Sequence, residues 1–169
     1  IEIGALRPDN LETTVAWVRH AEQLGVSMAF SAEAWWSDAA TPLAWLAAKT
    51  ERIRLATGIM QTTARTPAMA AMTALTLHDL SGGRFVLGFG ASGPQVVEGL
   101  HGVPYKQPLT QLRETVEICR MIFAGEKVRY AGKVFQLPLP NSEGKAIRIA
   151  HEPTHIPIYL ATLGPAALR

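Results

Sequence analysis

The chain has 169 residues, 48% of them apolar and 18% charged, with 16 basic side chains against 14 acidic ones. That is globular composition with enough apolar mass for a core. A formal net charge of +2 and the lack of any Lys/Arg-rich run exclude an electrostatic footprint for nucleic acid, and no apolar run approaches the ~20 residues of a membrane helix.

Ile1 to Leu6 reads as a short apolar strand. Asp9 or Asn10 can then cap a helix whose apolar positions Leu11, Val15, Val18, Ala21 and Leu24 recur at helical spacing, with Gly25 as its stop. Ser27 to Glu33 is a second strand. Thr41-Pro42 opens a helix that ends near Thr50, and Ile53 to Ile59 is a β-branched third strand. Thr66-Pro67 opens the helix Ala68 to Leu80, with proline in the first turn, where its missing N–H costs nothing. Ser81-Gly82-Gly83 stops that helix before a fourth strand, Arg84 to Phe89. Gly90 to about Pro108 reads as irregular. Leu109 to Phe123 is amphipathic, with Leu112, Val116, Cys119 and Phe123 on one stripe. Val128 to Leu137 reads as a hairpin turning at Tyr130-Ala131-Gly132-Lys133. Asn141 to Thr154 is polar and irregular, Ile156 to Leu160 is a fifth strand, and Gly164-Pro165-Ala166 opens a further helix.

Apolar strands alternating with helices imply parallel pairing through right-handed βαβ units, with both sheet faces covered. The expected fold class is α/β, the N-terminal part of a (β/α)8 barrel with insertions. The alternative is an open flavodoxin-like sheet. A closed barrel needs roughly 250 residues. We therefore expect 1–169 to be a single, incomplete barrel domain whose C-terminal strands and helices are absent. A first residue other than Met, and an end just past a strand-to-helix turn, add to that expectation.

In either architecture ligands meet the C-terminal ends of strands. That selects 32–36, 58–63, 88–94 and 161–165. Gly88-Phe89-Gly90-Ala91-Ser92-Gly93 contains Gly-x-Gly-x-x-Gly, which alone is weak: glycines that merely turn the chain would look the same. No helix is expected directly after it, and no acidic partner is placed as a dinucleotide fold requires. The free N–H groups of the helix at Gly164-Pro165 would suit a phosphate. The five histidines have no metal-ligand spacing, so no metal is expected. His20 and His78 read as solvated helix residues and His101 as a structural hydrogen-bonder. The lone cysteine, Cys119, fits a reducing compartment and reads as a small buried hydrophobe. No basic run precedes an apolar one at the N-terminus, so a cytoplasmic protein is expected. Glycine-lined strand ends without an evident nucleophile suggest that an organic cofactor carries the hard step.

Thr50-Glu51-Arg52-Ile53-Arg54-Leu55, Arg65-Thr66-Pro67-Ala68 and Asp79-Leu80-Ser81-Gly82-Gly83-Arg84-Phe85 resemble the luciferase-like family of flavin and deazaflavin oxidoreductases. Gly90 to Gly99, His101-Gly102-Val103-Pro104-Tyr105 and Tyr159 to Pro165 are similar to its coenzyme F420-dependent, methylene-tetrahydromethanopterin reductase-like branch. The resemblance implies a deazaflavin, or alternatively FMN, across the strand ends, a small-molecule substrate, and a homodimer when full length. It implies that Thr62 contacts the ring and that Ala91, Ser92 and Gly93 form a cofactor loop. It places Gly164 and Pro165 near a phosphate, and it makes Gly58–Ile59 a non-prolyl cis peptide behind the ring.

Where many deazaflavin enzymes of the family carry Asp-His after the second strand, this chain has Glu33-Ala34, so no imidazole can act there as acid. Glu33 is the candidate polar contact near the reacting centre, with Trp35 and Trp36 as an apolar wall or rim packing. The acidic residue that some sugar-phosphate dehydrogenases of the family hold is replaced near Ser92-Gly93, which disfavours that activity. The expected function is hydride transfer between F420 and a small organic substrate. The alternatives are an FMN-dependent monooxygenase and, from another class, a non-catalytic cofactor-binding fragment.

Overall fold

A computed structural model describes residues 1–7 and 9–162. The chain divides into two compact units. The first comprises Ile1–Met60, Thr76–Phe89 and Ile156–Ala161; the second comprises Gln61–Leu75, Gly90–His155 and Thr162–Arg169.

The first unit carries the strands β1 (Glu2–Ile3), β2 (Met28–Ser31), β3 (Arg54–Thr57), β5 (Phe85–Gly90, entering the second unit at its last residue) and β8 (Ile158–Leu160). Each pairs in parallel with the next: Glu2 faces Phe30, Met28 faces Arg54, Leu55 faces Phe85 and Leu87 faces Ile158. These five strands thus follow one another in space in chain order. A flavodoxin-like sheet would place its first strand between the second and third, so the order is that of a barrel and the open-sheet alternative falls. β4 (Met60–Gln61) completes the six-stranded sheet beside β5.

The sequence reads the third strand through to Ile59, but it breaks at Thr57, and the cis Gly58–Ile59 bond separates it from β4. The outer strands are also shorter than their apolar runs. β1 stops at Ile3 and β8 begins at Ile158, because pairing with the neighbour, not hydrophobicity, sets where a strand ends.

The helices follow from periodicity. In α1 (Leu11–Gln23), Val15, Val18 and Ala21 are buried on one stripe. Asn10 precedes it without capping it: its Oδ1 accepts from the Arg7 N–H at 2.8 Å and its amide donates to Ala5 O at 3.0 Å. Gly25, at φ +83°, turns the chain out of the helix. The next helix, α2 (Ala40–Ala47), begins before Thr41-Pro42 because Asp38 Oδ1 accepts from the N–H groups of Ala40 and Thr41 at 2.9 and 2.8 Å. α3 (Pro67–Leu80) runs from the second unit into the first.

In the second unit, 90–107 is not wholly irregular: Pro94–Val97 form one helical turn, α4, directly after Gly93. α5 (Pro108–Phe123) buries Leu112, Val116, Ile118, Cys119, Ile122 and Phe123. Glu114 on that buried face is 1% exposed. Its carboxylate accepts the N–H groups of Lys133, Val134 and Phe135 at 2.7, 3.0 and 2.9 Å. Those three donors lie in the turn of the hairpin β6 (Tyr130–Ala131) and β7 (Gln136–Leu137). The turn therefore falls two residues later than its Tyr-Ala-Gly-Lys signal, because Glu114 gathers the N–H groups that a two-residue turn would leave to water. A Cβ on Gly132 would collide with that carboxylate.

Candidate cofactor site

Thr57 closes β3 in the first unit. Its buried hydroxyl donates to Gly88 O and accepts from Gly88 N–H, both at 2.8 Å. A Cβ on Gly88 would overlap Thr57 O, so close approach of two strand backbones requires this glycine. Gly58 N–H donates to Ser31 O at 2.8 Å, and a Cβ on Gly58 would lie 2.5 Å from Phe30 Cδ2. The Gly58–Ile59 peptide is cis, as the resemblance implies. Ile59 O accepts the Glu33 N–H at 3.1 Å, which brings Gly58, Ile59 and Glu33 together. Half-buried Glu33 accepts a long bond from the Ala39 N–H at 3.4 Å, at the start of α2. Trp35 and Trp36 are exposed and pack edge-to-face on one another, with centroids 5.5 Å apart.

In the second unit, Thr62 N–H donates to Gly90 O at 3.1 Å, which brings Thr62 beside the start of the 90–93 loop. Thr62 is 2% exposed, and its Oγ1 has no hydrogen-bond partner among the described residues; nor has Thr63 Oγ1. A buried hydroxyl without a partner costs about 1–3 kcal/mol, so this strand end leaves polar capacity unused by the fold. Gln111 Nε2 reaches Thr62 O at 3.4 Å from the first turn of α5. No motif singles Gln111 out, and only the packing of α5 reveals it.

In the loop itself the glycines are not what turns the chain. Gly93 is extended (φ −130°, ψ 162°), while Ser92 takes the left-handed conformation at φ +58°. The nearest atom to a Cβ on Gly93 would be Gln95 Oε1, a mobile side-chain end at 3.1 Å, so little within the chain demands glycine there. Gly164 and Pro165 lie outside the described residues.

Of the remaining candidates, Cys119 is buried, His78 half-buried, and His20 and His101 exposed. Cys119 lies against Pro67 O at 3.7 Å, and burial pushes its thiol up to about 12. His78 falls short of the solvated position its helix suggests, because the chain folds back over it: its carbonyl accepts Gly83 N–H and the Ser81 hydroxyl. Among the described residues no group of three or more His, Cys, Asp or Glu could hold a metal ion. No helix among them is long and apolar enough to cross a membrane.

Two of the motifs that carry the resemblance meet before the strands. Arg84 donates to Ser81 O, Thr50 Oγ1, Ile53 O, Ala47 O and Thr50 O at 2.6–3.1 Å. Glu22 Oε1 accepts the N–H groups of Glu51, Arg52 and Ile53 at 3.1, 2.5 and 2.7 Å. These segments are architecture, not chemistry.

The family described as luciferase-like monooxygenase matches residues 2–169. A Mycobacterium tuberculosis protein named "Putative coenzyme F420-dependent oxidoreductase" is 47% identical over 169 residues, which is 96% of this chain and 48% of that protein. The 5,10-methylenetetrahydromethanopterin reductase of Archaeoglobus fulgidus is 35% identical over 124 residues, 73% of this chain and 35% of its own length. The solved coenzyme F420-dependent tetrahydromethanopterin reductase of Methanopyrus kandleri superposes with a TM-score of 0.79 at 25% identity, over 99% of this chain and 51% of that one. The chain spans at most about half the length of these curated relatives. A match that runs from residue 2 to residue 169 covers nearly all of it, and the chain belongs to the luciferase-like monooxygenase family.

Proposed function

We propose that the protein is an oxidoreductase that transfers a hydride between coenzyme F420 and a small organic substrate. The observation that carries this reading is the Thr62 hydroxyl, buried, without a partner among the described residues and next to Gly90 at the end of β5. A hydroxyl both donates and accepts, which suits the carbonyl and N–H edge of a deazaflavin ring. The names of the relatives support the same cofactor.

Bound F420 would supply the carbon that gives or takes the hydride. The chain's part is to hold and orient. Thr62 binds the ring edge, and Ala91, Ser92 and Gly93 offer backbone N–H groups. The resemblance would have Gly58 and Ile59 back the ring face, and would give Glu33 a hydrogen bond from substrate or ring N–H. Glu33 carries no adjacent imidazole, so it positions a donor and does not pass a proton through a histidine. The resemblance would give Gly164 and Pro165 the contacts on the phosphate side. The same reading makes the whole protein a cytoplasmic homodimer.

Titration of the chain with F420 and, separately, with FMN tests the proposal. Saturable quenching of F420 fluorescence is the expected result. Tight FMN binding with no F420 response would overturn it in favour of a flavin monooxygenase.

A further inference from the structure

The 92–105 segment closes on itself. Gly93 O accepts the N–H groups of Val96 and Val97 at 3.1 and 2.9 Å, which builds α4. Glu98, just after that turn, accepts the Tyr105 N–H with Oε1 at 2.9 Å. The Tyr105 hydroxyl in turn donates to Ser92 O at 3.1 Å. A Cβ on Gly99 would run into Gln95 O, so the chain can leave α4 this way only with glycine at that position.

The consequence lies in the peptide plane. Ser92 is a non-glycine residue in the left-handed region, a conformation that persists only where its surroundings enforce it. The Ser92–Gly93 peptide is planar and trans, so its carbonyl and its N–H point in opposite directions. Tying Ser92 O to the Tyr105 hydroxyl therefore aims the Gly93 N–H away from Tyr105 as a fixed donor. Since Gly93 adds no side chain, nothing of its own covers that donor.

We infer that Tyr105 is a positioning residue: with Glu98 as its anchor, it orients the Gly93 N–H for a polar or anionic group of the bound cofactor. This rests on the reading of 91–93 as a cofactor loop.

The test uses Tyr105→Phe, Glu98→Ala and Glu98→Gln in the full chain. For whichever of F420 or FMN binds the parent chain, Tyr105→Phe is expected to raise Kd about tenfold, the equivalent of one lost hydrogen bond. The melting temperature should move by no more than about 2 °C. Glu98→Ala should behave alike, while Glu98→Gln, which keeps an acceptor oxygen for the Tyr105 N–H, should restore parental affinity. Unchanged affinity in Tyr105→Phe, or a loss matched by a large fall in melting temperature, would overturn the inference. The three-bond HN–Hα coupling of Ser92, which reports its φ, read by NMR in the cofactor-free chain separates this outcome from failure of the cofactor assignment. A coupling displaced from the left-handed value in Tyr105→Phe supports the clasp even if the parent binds neither cofactor, and an unchanged coupling refutes it.

Discussion

Glu22 and Arg84 sit in segments that precede strands, and Thr62 and Ser92 in segments that follow them; the two sets are finished differently. Before the strands, the Arg84 guanidinium places five hydrogen bonds on protein oxygens, and the Glu22 carboxylate gathers three consecutive N–H groups. After the strands, Thr62 and Thr63 keep buried hydroxyls that no described residue meets, and Ser92 holds a left-handed turn by one bond from Tyr105. In barrels of this kind the first end serves stability and the second carries ligands. Closed polar networks and unspent polar capacity are how that division is written in hydrogen bonds.

The comparison breaks most readily at Arg84. Replacing it with Ala strips partners from four backbone carbonyls and should cost about 2–3 kcal/mol in urea denaturation. A loss under about 0.5 kcal/mol would mean that water serves those carbonyls equally well.

Next comes Glu22. Burial opposes its ionisation, but the N–H donors of Ile53, Arg52 and Glu51 and the nearby Arg52 charge prevail and hold its carboxyl below its ordinary value of 4.5. A carboxyl lowered in the folded state stabilises above that ordinary value, and the contribution disappears as pH falls through the lowered one. The stability gap between the parent chain and Glu22→Gln should be about 1–2 kcal/mol at pH 7 and shrink below pH ~4.5. A gap that is flat with pH would show that the charge contributes nothing.

Two threonines sharpen the contrast at the other end. Thr57→Val removes both bonds to Gly88 and should cost about 1–2 kcal/mol. Thr62→Val removes a hydroxyl the described fold does not use, so stability should change by no more than about 0.5 kcal/mol. Cofactor affinity should fall about tenfold, read by fluorescence titration. Equal stability losses in the two variants would erase the distinction.

Much of this was legible in advance. Apolar spacing located α1 and α5, Gly25 marked the stop of α1, and Thr66-Pro67 and Ser81-Gly82-Gly83 bracketed α3, because each signal acts within a turn or two of chain. The short turn α4 escaped, since four residues give no period to read, although Gly93-Pro94 was its local sign. Asp38 escaped as a cap because it sits three residues ahead of the helix start that Thr41-Pro42 advertised. Glu114 escaped because a carboxylate on an apolar helix stripe has no meaning until Lys133 to Phe135 fold over it, some 20 residues away. At the site, the strand ends followed from the alternation of strands and helices and the cis position from the resemblance, while Tyr105 and Gln111 followed from neither.

The sequence alone determined where helix and strand alternate and which stretches follow strands, because periodicity, proline and glycine act on neighbouring residues. Only the tertiary structure decided that the first strand lies outside the second and not between the second and third, which made the fold a barrel's and not an open sheet's. It also decided that the Thr57 hydroxyl is satisfied while that of Thr62 has no partner among the described residues. Both outcomes hang on partners such as Gly88, 31 residues from Thr57. A hydroxyl's local sequence says that it needs a partner, and only the packed backbone says whether it has one.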